Sequence, residues 1–150
     1  MNLRFQYGFT LAETLIATAL LAIGADAMVD GVSGQIERAR IEQARQEIGR
    51  IQTAIEGYRT LHHELPGSLA DLDSPVPTLD PWDHSYEYVN FDANGTVGQR
   101  NYNGLPANSE YDLYSAGPDG RTDADLSSET ARDDIVRARD GSFVGSGADF

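Results

Sequence analysis

Cysteine and lysine are absent from the 150 residues, tryptophan occurs once and methionine twice. Without cysteine there is neither a disulfide framework nor a thiolate metal site, so stability has to come from packing, from a hard cation held by oxygens, or from assembly. Eleven basic residues, all arginine, stand against 24 acidic ones for a formal charge of −13. No polybasic patch is available, which excludes nucleic acid and anionic lipid heads as general partners. Also missing are a GxSxG elbow and a phosphate-cradling glycine loop, so catalysis has no support and the chain is not expected to be an enzyme. There is no internal repeat, and the length with 40% hydrophobic content suits one small globular unit plus an appendage.

The appendage is at the front. Residues 1–8, "MNLRFQYG", carry one positive charge, and an apolar segment follows from Phe9 to about Val29, interrupted by Glu13 and Asp26. A secretory signal peptide would be cut after "ADA" (residues 25–27), leaving Met28 as the new terminus. A permanent membrane anchor fits less well, because only residues 14–25 are free of charge, well short of the ~20 apolar residues that span a bilayer. The remaining reading keeps the segment and needs a reason for Glu13, since a carboxylate among apolar helices requires a partner.

From residue 36 the pattern changes. Ile41, Ala44, Ile48, Ile51, Ile55 and Tyr58 recur at three- and four-residue steps, with Glu, Arg and Gln between them. This spacing predicts an amphipathic helix over 35–61 whose stripe packs on a small sheet. Together with the apolar segment it reads as one nearly continuous helix from Phe9 to Leu61. Residues 64–82 are rich in proline, glycine and aspartate and read as loop. "SYEYVNFD" alternates as a strand, Asn94-Gly95 is a turn signal, "QRNYN" is the expected return strand, and "EYDLYSAG" is a third. His62, His63 and His84 lack the spacing of a metal set and are expected to be exposed polar residues. Trp82 is expected to fill the space between sheet and helix.

Between residues 115 and 136 aspartates accumulate. Asp119, Asp123, Asp125, Asp133 and Asp134 in one connection repel one another, and a calcium ion, which takes six to eight oxygens in flexible geometry, would relieve that repulsion. The plain alternative is a solvated acidic loop. The spacing is not that of an EF-hand.

Three separated motifs carry a resemblance. "GFTLAETLIA" resembles the cleavage and assembly motif of type IV pilins and type II secretion pseudopilins, while "DPWDHSYEY" and "YSAGPDG...DDI" resemble the two signatures of the major, G-type pseudopilin. The resemblance implies an α+β, type IV pilin-like fold: a long N-terminal helix on a small antiparallel sheet with a C-terminal calcium-binding loop. It implies a leader at 1–8, a hydrophobic helix at 9–32 for membrane and filament core, and a globular domain at 33–150, with loop and sheet from 62. It further implies cleavage between Gly8 and Phe9 by a prepilin peptidase, N-methylation of Phe9, and pairing of Glu13 with a neighbour's terminal amine during assembly. Calcium would be held by Asp119, Asp133, Asp134 and the Ala116 carbonyl. The segment between Gly120 and Asp133 is longer than the family's, so Asp123 or Asp125 is a candidate replacement ligand.

The implied partners are copies of the chain in a helical filament, minor pseudopilins, the inner-membrane secretion platform, and the membrane before assembly. The implied location is the inner membrane, then a periplasmic pseudopilus. A type IV pilus or other extracellular filament subunit is the close rival, and a secreted calcium-binding module the distant one. Two departures stand out: Asp30 and Gly31 replace a proline common in the family, with Gly24, Gly31 and Gly34 available to soften the helix, and the tail 137–150 lies beyond the resemblance.

Overall fold

Helix α1 (Leu11–His62) is the longest element of the computed structural model, which describes the backbone from Leu11 and the side chains from Val32 to Phe150. The leader 1–8, the residues Gly8 and Phe9, and the side chain of Glu13 lie outside the described residues. The chain divides into two units, Met1–Arg38 and Ala39–Phe150, and the second holds the sheet and both apolar clusters. Among the described residues no helix is long and apolar enough to cross a membrane.

α1 is unbroken through Gly24, Gly31 and Gly34, so those glycines do not end it. Its predicted stripe is the core: Ala44, Ile48, Ile51 and Ile55 are all fully buried, with Ile41 packed against them. They meet Tyr86, Tyr111, Leu113 and Ile135. Trp82 packs against this cluster but stays only partly buried, at its rim. Tyr86, whose hydroxyl is pushed up by burial, keeps its proton and donates it to Glu47 Oε2 at 2.7 Å.

Four antiparallel strands make the sheet, in the order β1 (Glu87–Asn90), β4 (Tyr111–Ser115), β5 (Ile135–Ala138), β6 (Phe143–Ser146). Alternation gives β4 and β5 two covered faces. Tyr111, Leu113 and Ile135 face α1, whereas Tyr114, Val136 and Ala138 join Ala107, Leu126, Ala131, Phe143 and Phe150 in a second cluster. The long acidic segment and the tail therefore serve as the sheet's second cover, and the tail itself supplies β6.

The expected hairpin at Asn94-Gly95 does not form. Asn90 ends β1 by accepting hydrogen bonds from the amides of Asp92 (2.9 Å) and Ala93 (3.3 Å), which starts a single helical turn, α2 (Phe91–Asn94), and leads the chain off the sheet. β1 pairs instead with β4, with Tyr88 opposite Leu113. The "QRNYN" strand becomes β2 (Asn101–Tyr102) and pairs only with β3 (Leu105–Pro106). The turn between them is the other Asn-Gly pair, Asn103-Gly104, with φ of 52° and 80°, the left-handed pair that a two-residue hairpin needs.

Truncating the stripe is expected to be severe: Ile51→Ala should lower the unfolding free energy by roughly 2–5 kcal/mol in urea titration. A loss near the ~0.5 kcal/mol typical of surface changes would contradict its place in the core.

Candidate functional site

The two signature segments meet at the carboxylate of Asp80. The residue is only 4% exposed. Oδ1 accepts from the amides of Trp82 and His84, both at 2.9 Å, which shapes the Asp-Pro-Trp turn, and Oδ2 accepts from Ser115 Oγ at 2.5 Å. Ser115 in turn accepts from the Gly117 amide at 3.0 Å, and His84 Nδ1 lies 2.9 Å from the Gly117 carbonyl. A carbonyl only accepts, so that nitrogen carries the proton. His84 is thus half-buried and bonded to the Gly-Pro-Asp-Gly turn, against the expectation of an exposed residue. His62 stacks on Tyr58 and meets Asp73 at 3.1 Å on the surface.

Both glycines of that turn are required. Gly117 has a φ of +65°, and a Cβ there would sit 2.4 Å from the Asp133 carbonyl oxygen. Gly120, also at +65°, approaches the His84 ring, which a Cβ would meet at 2.8 Å. The backbone at Asp133 is therefore seated directly on the turn.

The predicted metal residues fall in different surroundings. Asp119 is exposed and accepts from the Arg121 amide at 2.8 Å. Asp123 accepts from the Asp125 amide at 3.1 Å, and Asp125 accepts from the amide and hydroxyl of Ser127 at 2.9 and 2.7 Å, which holds its carboxyl below the usual range. Ala116 is buried at the end of β4, and Asp133 is half-buried beside Gly117. Among the described residues no three acidic or histidine side chains converge as metal ligands.

Asp134 has a different partner. It is fully buried, and its Oδ2 receives Arg100 Nη2 and the Thr122 hydroxyl, the latter at 2.6 Å. Arg100 Nη1 donates to the same Thr122 oxygen at 2.8 Å, and the guanidinium carbon lies 4.0 Å from the centre of the Tyr114 ring, a cation–π stack. Burial pushes the Asp134 carboxyl up, opposed by Thr122 and Arg100. On β4, Asp112 is equally buried: Oδ2 accepts the Arg100 amide at 2.6 Å and Oδ1 the Asn108 side chain at 2.8 Å. Burial again dominates and raises its carboxyl. Arg100, Asp112 and the structural role of Asp80 do not follow from the sequence pattern. For Arg100 the sequence does hold a signal, because it is the one arginine between Arg59 and Arg121.

Comparison with known proteins agrees with these segments. A family model described as "Type II secretion system (T2SS), protein G" matches residues 31–135. The chain is similar to the type II secretion system core protein G of Escherichia coli (strain K12), 29% identical over 135 residues that cover 77% of this chain and 83% of that protein. It is also similar to the core protein G of Pseudomonas aeruginosa, 28% identical over 151 aligned residues that cover 84% of this chain and 96% of the other. No solved structure matches significantly.

Gly117→Ala combines a left-handed φ with a backbone collision and is expected to destabilise the chain by at least ~1–3 kcal/mol, read from its urea midpoint. Asp112 gives a pH signature. Its raised carboxyl keeps a proton in the folded chain, just above the ordinary carboxylate range, where the unfolded chain has already lost it, so there its contribution to stability grows as pH falls. The Tm of the wild type minus that of Asp112→Asn should accordingly increase from neutral pH toward that range. A difference independent of pH would contradict the assignment.

Proposed function

Because this chain belongs to the type II secretion system protein G family, we propose that it is made as a precursor, cut between Gly8 and Phe9, and polymerised into a periplasmic pseudopilus that drives export of folded proteins. It is a structural pseudopilin subunit of type II secretion. The observation that carries the reading is the family match over 31–135, which takes in both the buried stripe of α1 and the turn that joins the two signature segments.

In this reading a prepilin peptidase removes residues 1–8 and leaves Phe9 as a methylated terminus. The apolar segment 9–32 holds the subunit in the inner membrane until it enters the filament, where the same segments of neighbouring copies pack on one another. Each 100 Å² of apolar area removed from water there contributes about 2.5 kcal/mol. Val32 and Ile36 are exposed by 56% and 51% on α1. Glu13 faces the terminal amine of a neighbouring Phe9, so that two charges are neutralised together and subunit register is fixed. Minor pseudopilins and the inner-membrane platform are the remaining partners.

Terminal sequencing of the mature chain should start at Phe9, and a start at Met28 would replace this reading with that of a released module. Glu13→Ala should leave folding and leader removal intact and abolish most filament formation in cells expressing the secretion system. Filaments of normal number and length from that variant would overturn the pairing.

A further inference from the structure

Burying Asp134 in a chain of such negative charge calls for a cation, and here the cation is part of the chain. Arg100 arrives from the connection between β1 and β4, far from the acidic segment in sequence, and is held there by several independent contacts. Its amide is on Asp112, its carbonyl accepts from the Ala107 amide at 2.8 Å, and its guanidinium stacks on Tyr114. The acidic segment is stapled to the same connection by its backbone: the Asn101 amide donates to the Ala124 carbonyl and the Leu126 amide to the Asn101 carbonyl, both at 2.8 Å. Leu126 and Ala131 are thereby buried against the sheet.

We propose that Arg100 does in this chain what a calcium ion is expected to do in the acidic loop: it is the built-in positive charge that fastens residues 121–134 over the sheet, and the domain is calcium-independent. Three observations favour the guanidinium. It already occupies Oδ2 of Asp134, together with Thr122, which also accepts from Arg100. Asp119, Asp123 and Asp125 direct their carboxylates to amides of their own loops. Finally, the guanidinium is held against this carboxylate by its stack on Tyr114, 4.0 Å from the ring centre. An arginine is charged at every physiological pH and is not removed by a chelator. This inference concerns the folded domain and stands or falls separately from filament assembly.

The test is a set of thermal melts on the full processed chain in detergent, with EDTA and with millimolar calcium chloride. The two wild-type curves should coincide, whereas a calcium ion bound at a hundredfold excess over its Kd would separate them by roughly 5 °C or more. Arg100→Met should lower Tm under both conditions by more than the double variant Arg100→Met/Asp134→Asn does, because the single change strands a buried carboxylate and the double change removes it. A fall in the wild-type Tm of that size with EDTA, or strictly additive effects of the two substitutions, would overturn the proposal. If Arg100→Met does not fold, the wild-type comparison decides alone.

Discussion

A carboxylate withdrawn from water must be given donors or a counter-charge, and among the described residues three are withdrawn around one strand. Asp80, Asp112 and Asp134 are 4%, 0% and 0% exposed. Each is satisfied with different chemistry. Asp80 takes two amides and a hydroxyl, Asp112 an amide and a carboxamide, Asp134 a hydroxyl and a guanidinium. Hydrogen bonds to a charged acceptor are worth about 1.5–3 kcal/mol each, and a stranded charge costs more than its partner contributed. The three sites therefore specify where the loops lie more sharply than apolar contact alone would. Asp80 fixes the turn before β1 to the end of β4, and the other two fix the β1–β4 connection and the acidic segment to β4 and β5.

This polar frame accounts for how so small a sheet is buried on both sides. One face has a helix with a regular isoleucine stripe. The other is covered, among the described residues, by two connections that bury Ala107, Leu126 and Ala131, the last in a short 3-10 turn, and by a tail that brings Phe143 and Phe150. Irregular chain carries amides and carbonyls that need partners, and here aspartate, asparagine and serine side chains provide them. The same residues that give the segment its acidity are thus largely occupied in shaping it.

The helix and its buried face were legible because apolar residues spaced by three and four from Ile41 to Tyr58 fit the period of a helix and not the alternation of a strand. The strand read in "EYDLYSAG" was equally plain and is found at Tyr111–Ser115. The pairing was not. Two Asn-Gly pairs compete as turns, and only the cap that Asn90 gives to α2 decides that Asn103-Gly104 makes the hairpin while Asn94-Gly95 does not. β6 is hidden because "FVGS" is short and interrupted by glycine, and its strand character comes from pairing with β5. The acidic residues stand out as a group, but what Asp134 faces is Arg100, a contact across 34 positions that no local pattern encodes.

The order of these contacts along the chain bears on biosynthesis. α1 emerges from the ribosome first, yet its isoleucines are sheltered by Tyr111, Leu113 and Ile135, and Arg45 on the same helix donates to the Val144 carbonyl, 99 positions later. A nascent polypeptide of this kind presents a long greasy ridge until nearly its last strand is translated, and non-local closure of that sort is slow. The core therefore closes only when the C-terminal strands are available to cover that ridge.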